Sequence, residues 1–406
     1  MKKIAIYIMR IGLNFIYAVL KLFPTQKNKV LFLSRQSNML TLDFKMTQEE
    51  LRRERPDIKI VTICHRLEGE GSGAAAFAKS TLKSMYHLAT SSVCVLDAYW
   101  PAVSILHHKK SLTVIQMWHA LGKIKQSGYQ TLGKESGRGE EIARLMKMHE
   151  GYDYILAGGS AWNPFYCKSF NTTEDKLVNC GLPRIDYLLE TEERNRNAVM
   201  EAYPEFKDKK VVLYAPTFRR NIELRWQGLA NIAGKDSNFV LVIKGHPNQR
   251  IELDKLPDTE GIYTCPEFSS AEVLAACDYL ITDYSAIAIE GAVLSKPTYY
   301  FVYDYEEYRR KNGMNIDLFE TMPGCVFRDA DELIKNLREG NYNREALENY
   351  RQHYLPENPG TSTKQICSLI LSNFVCSALH LGKILSTSGV GGSYTFLNSA
   401  DGQSRR

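Results

Sequence analysis

Short apolar runs alternate with longer amphipathic ones along most of this chain. KVLFLS (29–34), KIVTIC (59–64), SVCVLD (92–97), LTVIQMW (112–118) and YDYILAGG (152–159) lack the alternation of a half-exposed strand, so each reads as a strand buried on both faces. Helical patterns such as MTQEELRRERP and GEEIARLMKMHEG separate them. That rhythm predicts βαβ units and a parallel sheet. A charged break, ETEERNRNAVMEAYPEFKDKK, is followed by a second series: VVLYAPT (211–217), NFVLVIKGHP (238–247), GIYTCP (261–266), YLITDYS (279–285) and PTYYFVYD (297–304). The pattern predicts an α/β fold of two Rossmann-like domains, residues 25–200 and 201–384, facing a central cleft between the carboxyl ends of their sheets. Helices are expected around 331–380. The Ser- and Gly-rich segment 385–406 reads as a flexible tail.

The first 24 residues, MKKIAIYIMRIGLNFIYAVLKLFP, break the pattern. They are nearly continuous in apolar side chains but carry Arg10 in the middle and lysines at 2, 3 and 21, with two more just beyond at 27 and 29. A central arginine costs about 2.5 to 3.5 kcal/mol on insertion scales, so lying in the membrane interface is easier than spanning. Residues 1–24 are therefore expected to form a membrane-associating amphipathic helix; a core helix of the first domain is the alternative. No A-x-A cleavage site follows, which argues against a removed signal peptide.

Composition narrows the classes. Of 406 residues, 44% are hydrophobic and 24% charged, which is globular, and the net charge of +5 is scattered, so no nucleic-acid partner is expected. Nine cysteines with no CxxC pair read as reduced structural thiols, which suits a cytosolic face.

The polar groups that matter collect at strand ends. His119 follows the fourth strand, in IQMWHALGKIKQSGY (115–129). Thr217, Arg219 and Arg220 follow the first strand of the second half, Lys244 and His246 end the next, and Asp283 and Ser285 end a later one. Arg220 reads as a solvated loop charge. Asp283 or Ser285 can cap a helix through AIAIEGAVLS, whose start would seat a phosphate, and Glu290 could then reach ribose hydroxyls. A histidine after Lys244 can donate to a pyrophosphate oxygen, and arginine matches phosphate in a bidentate way. Neither GxGxxG nor GxxxxGK[ST] is present. No carboxylate pair has a spacing recognisable for magnesium, so no metal site is assigned, and no cofactor is certain.

Together, WHALGKIKQSG (118–128), GLPRID (181–186), YAPTFR (214–219), KGHP (244–247) and ITDYSAIAIEGAVLSKPTYYFVYDYEEY (281–308) resemble, in that order, the CDP-glycerol glycerophosphotransferase family of teichoic acid primases and polymerases. The resemblance implies a GT-B fold, a peripheral protein on the cytoplasmic side of the cell membrane, and CDP-glycerol or CDP-ribitol as donor. A hydroxyl of a lipid-linked polyol-phosphate acceptor would attack the polyol-bearing phosphorus, and CMP would leave. It implies His119 as base, His246 as a second catalytic histidine, and Ser285 beside the donor phosphates. Thr217, Arg219, Lys244, Asp283 and Glu290 are expected to join Ser285 in holding the donor, and Lys123 and Lys125 to attract the acceptor. WHALGK stands where the family commonly has WHGTPLK, and DYSAIAIEG where it often has DYSSV and an aspartate, which leaves polyol and acceptor open. A GT-B glycosyltransferase using a nucleotide sugar and a non-catalytic membrane-bound scaffold are the alternatives.

Overall fold

The structure, a computed structural model, describes residues 2–66, 72–135, 137–217, 226–234, 237–245 and 260–386. Six strands form the first sheet: β1 (Gln26–Ser34), β2 (Lys59–Cys64), β3 (Ser91–Leu96), β4 (Thr113–Gln116), β5 (Tyr154–Leu156) and β6 (Leu177–Val178). They are parallel throughout, in the order β2-β1-β3-β4-β5-β6. Six more form the second: β7 (Lys210–Tyr214), β8 (Phe239–Ile243), β9 (Ile262–Tyr263), β10 (Tyr279–Thr282), β11 (Thr298–Phe301) and β12 (Val326–Phe327). These too are parallel, in the order β12-β11-β10-β7-β8-β9. The two-residue strands β6 and β12 lie outside the apolar runs read as strands.

Each sheet has one place where the strand order reverses, between β1 and β3 in the first and between β7 and β10 in the second. Ligands of open α/β sheets bind at such crevices, outside the carboxyl ends of the strands. The expected strand-end residues therefore fall where a site can form.

The helix Pro183–Ala202 bridges the halves, packing on Leu42–Glu54 from the first and on Ser270–Ala276 and Ile287–Val293 from the second. The last helix, Ser362–Ser386, returns to the first half although sequence order groups it with the second. Its first turn is held by the Asp186 carboxylate, which accepts from Ser362 N at 3.1 Å and Thr363 N at 2.7 Å. Ile366, Cys367 and Ile370 are then fully buried. A terminal helix carries an apolar stripe, but nothing in its sequence says which sheet it will cover.

The helix Lys2–Leu20 docks by a polar stripe. Arg10 donates to Leu145 O at 2.8 Å, Asn14 to Ile105 O at 3.0 Å, and Lys21, just past the helix, to His107 O at 2.9 Å. The Tyr17 hydroxyl lies 2.8 Å from His108 Nδ1. Residues 10, 14, 17 and 21 repeat at helical spacing, so all four face the body. The opposite stripe, Ile4, Ile8, Ile11 and Phe15, is exposed. Arg10 thus lies on the docked face and its charge does not interrupt the exposed apolar one.

Candidate active site

Strand β4 carries the chain into the cleft. Past Gln116, the backbone turns at Trp118, which takes φ +64°, a left-handed conformation that bulky residues rarely adopt and that clusters at functional sites. Trp118 N donates to the Gln116 side-chain oxygen at 3.0 Å. The turn aims His119 toward the end of β3, where its Nδ1 lies 2.8 Å from the Asp97 carbonyl. A carbonyl can only accept, so Nδ1 carries the proton and the lone pair of the neutral ring is on Nε2. Asp97 is itself fixed at the first switch point: its carboxylate accepts from Ser34 Oγ at 2.6 Å and from Arg35 N at 3.1 Å. Burial raises the Asp97 carboxyl to about 6, against those two donors. Burial lowers His119 to about 4, opposed by the Asp97 carbonyl and helped by Lys123, Arg184 and Lys125.

Lys123 is not on the cleft wall where an acceptor would meet it. It is 2% exposed, with its ammonium 4.0 Å from the Trp118 ring centre, 4.3 Å from Phe170 and 5.0 Å from Tyr166, and it donates to Ser127 Oγ at 3.0 Å. Burial pushes its pKa well below the usual lysine range. The cage braces the Trp118 turn from below. Lys125 faces the other way and reaches Thr217 Oγ1 of the second half at 3.5 Å.

The rest of this stretch ties the halves together. Asn315 N donates to Ile124 O at 2.9 Å, its side chain donates to Lys123 O at 2.8 Å, and Gln126 N donates to Gly313 O at 3.1 Å. Gly122 fits because it has no side chain: a Cβ there would lie 2.5 Å from Trp162 and 2.7 Å from Ile289.

At the second switch point Thr217 N donates to Asp283 Oδ1 at 2.8 Å, joining the ends of β7 and β10. Asp283 therefore does not cap the following helix. That helix, Ile287–Val293, starts after Ala286 without a side-chain cap, and Ser285 Oγ lies 3.5 Å from Ile287 N. Lys244 departs from its expected role: its ammonium donates to Thr264 O, Cys265 O and Phe268 O at 3.2, 2.9 and 2.6 Å, which commits its donors to holding a loop. Arg219 and His246 lie outside the described residues.

Glu290 is held from across the cleft. Its Oε1 accepts from Arg184 Nη1 at 3.1 Å, and Arg184 also grips Asp43, through its backbone N at 2.9 Å and its Nε and Nη2. Burial opposes the Arg184 charge, but Asp43 and Glu290 outweigh it and hold the guanidinium firmly protonated. Sequence reasoning missed Arg184, Asp43 and Asp97 as site residues. Arg184 stood inside GLPRID just after a proline suited to a helix start, and Asp97 closed a strand run, so position alone could have marked both. Among the described residues no group of three His, Cys, Asp or Glu side chains could hold a metal, and the eight described cysteines are free thiols.

Comparison with known proteins gives this geometry a context. Residues 15–372 match the family described as CDP-Glycerol:Poly(glycerophosphate) glycerophosphotransferase. The teichoic acid ribitol-phosphate primase of Bacillus spizizenii is 27% identical over 88% of this chain and 94% of its own. The teichoic acid glycerol-phosphate primase of Bacillus subtilis is 27% identical over 71% of this chain and 76% of its own. A structure of the wall teichoic acid polymerase TagF superposes with a TM-score of 0.71 at 17% identity, covering 92% of this chain and 98% of that one, which shows the fold to be of the GT-B type. The chain belongs to the CDP-glycerol:poly(glycerophosphate) glycerophosphotransferase family, the polyol-phosphate transferases of teichoic acid synthesis.

Proposed function

We propose that this chain moves a glycerol phosphate or ribitol phosphate from its CDP ester to a hydroxyl of a lipid-linked polyol-phosphate acceptor, with His119 Nε2 as the base. The observation that carries the reading is the His119 Nδ1 to Asp97 carbonyl bond, because it leaves Nε2 able to take the hydroxyl proton. The hydroxyl oxygen bonds to the polyol-bearing phosphorus, the bond from that phosphorus to the oxygen bridging to CMP breaks, and CMP leaves with the electron pair. Positioning and charge stabilisation carry most of such a displacement, and no covalent enzyme intermediate is needed.

The donor is assigned to the second switch point, around Thr217, Asp283 and Ser285, with Arg219 and His246 as further donor contacts on the sequence reading. Lys125, which reaches Thr217 across the cleft, would then lie between donor and acceptor phosphates. Glu290 keeps a second carboxylate oxygen, beyond the one that Arg184 holds, for a ribose hydroxyl. The helix Lys2–Leu20 supports membrane attachment at the interface, since its polar stripe is already spent on the protein and its exposed stripe is apolar.

Donor choice tests the reading. Purified protein with a glycerol-phosphate-terminated primer should release CMP from CDP-glycerol or CDP-ribitol. Release of UDP from a UDP-sugar in place of CMP would make it a glycosyltransferase instead.

A further inference from the structure

Three arginines from separate parts of the chain converge on Tyr99, just past the end of β3. Arg35 Nη1 donates to Tyr99 O at 2.7 Å. The Arg138 guanidinium lies over the Tyr99 ring, 5.3 Å from its centre. Tyr99 Oη donates to Met146 O at 2.7 Å, next to Leu145, whose carbonyl receives Arg10 of the first helix. Tyr99 is 5% exposed, whereas Arg138 is exposed. Burial raises the Tyr99 hydroxyl to about 12, opposed by Arg138, Arg35 and Arg10, and burial, then Arg138, lowers Arg35, so these positive charges bear on one another. Asp97, whose carboxyl burial raises to about 6, is one of the groups that favour the Arg35 charge. A positive cluster of this kind is stabilised by an anion.

Its location gives the cluster a purpose. Arg35 follows β1 and Asp97 follows β3, so the group sits at the first sheet's switch point, the crevice where an open α/β sheet takes a ligand. One side of it meets the helix Lys2–Leu20 through Arg10; the other meets His119 through Asp97, whose carboxylate accepts from Arg35 N and whose carbonyl meets His119 Nδ1. We propose that Arg35 and Arg138, with Arg10 at the membrane edge, seat a phosphodiester of the anionic acceptor, so that the acceptor chain runs from the exposed apolar helix past Tyr99 and presents its terminal hydroxyl to His119. This rests on the transferase reading. It replaces Lys123, which is buried in its aromatic cage, with two arginines that match a phosphate bidentately.

The test uses the full chain and two acceptors that end in the same glycerol phosphate, one lipid-linked in vesicles and one water-soluble. Arg138→Glu is the main variant because the side chain is exposed and its loss leaves the fold's hydrogen bonds intact; Arg138→Lys is its conservative partner. Arg138→Glu should raise KM for both acceptors by about tenfold or more, as expected for loss of a charge-assisted contact, with CDP affinity unchanged and Arg138→Lys intermediate. Flotation with acceptor-free phosphatidylglycerol vesicles should also be unchanged. An unchanged KM for both acceptors overturns the seat. A rise confined to the lipid-linked acceptor, with weaker flotation, overturns it too and assigns the arginines to lipid headgroups. If the wild-type protein binds CDP but transfers to neither acceptor, the transferase reading itself fails, and the seat falls with it.

Discussion

His119 Nδ1 and the Asp97 carbonyl lie 2.8 Å apart, and that single bond decides which nitrogen of the imidazole faces the cleft. Because the partner is backbone, the tautomer is set by the position of β3's end and not by the Asp97 side chain. The carboxylate enters indirectly, by holding Ser34 and Arg35 and so fixing the residue that supplies the carbonyl.

A neutral base should show itself in the pH profile. Burial holds His119 near 4, below the usual value of about 6.5, so it stays unprotonated across neutral pH. The acid limb of kcat/KM is expected near pH 4. The limb of kcat should lie higher, since anionic substrates around the ring favour its protonated form. A kcat/KM limb near 6.5 would mean that His119 is not buried as described.

Acid should destabilise the fold through the same physics. Burial comes first among the causes that lower His87, His108 and His119 to about 4 and His149 to about 3. Their contribution is complete above the unfolded value of about 6.5 and is lost as pH falls, because the unfolded chain takes up protons that the folded one refuses. Asp97, raised to about 6, acts in the opposite sense, favouring the fold below the unfolded carboxyl value and losing that contribution as pH rises through 6. Four histidines outweigh one aspartate, so the thermal midpoint should drop between pH 7 and pH 4. A midpoint that rises over this range would contradict the histidine burial.

Arg184 ties the two halves, so its loss should cost more than a surface ion pair. Its side chain is 24% exposed and that of Asp43 is 5% exposed, which puts Arg184→Gln near the low end of the range for broken buried pairs, about 3 kcal/mol. Urea unfolding reads the loss. Adding Asp43→Asn should restore part of it by removing the stranded carboxylate; strictly additive losses would mean that the pair is not coupled.

Gly122 has no room for a methyl group between Trp162 and Ile289. Gly122→Ala should destabilise by about 1 to 3 kcal/mol and reduce turnover by moving the His119 turn. Normal stability and turnover would show that the two side chains can move apart freely.

The anchor prediction is read by flotation. Protein lacking residues 1–24 should fail to bind anionic vesicles, and full-length protein should be released from them by alkaline carbonate, as an interfacial helix is. Retention through carbonate would mean that the helix spans.

How far the sequence carried these conclusions depends on the range of the interaction. Strands buried on both faces leave continuous apolar runs, so β1 to β5 and β7 to β11 were visible, as were the strand-end polar residues His119, Thr217 and Asp283. The partners of those residues were not. Lys123 looks like a solvated loop charge until Tyr166 and Phe170 fold over it. Glu290 looks like a ribose contact, with nothing beside it to show that Arg184, 106 positions earlier, arrives across the cleft. Lys244 ends a strand beside the cleft, but its donors turn to carbonyls of the next loop. Local pattern tells which residues reach the carboxyl ends of the sheets; which way each side chain turns there is decided by contacts distant in sequence.

The most direct measurement is incorporation of labelled polyol phosphate. Wild-type protein and His119→Gln are incubated with CDP-glycerol or CDP-ribitol labelled in the polyol and with a lipid-linked polyol-phosphate primer, and label in the primer is counted alongside CMP. Wild-type protein should transfer label with one CMP released per unit added, and His119→Gln should retain CDP binding while transfer falls by about 10² to 10⁴. Transfer by His119→Gln at the wild-type rate, or CMP release by the wild type with no label in the primer, would contradict base-assisted transfer to a polyol hydroxyl.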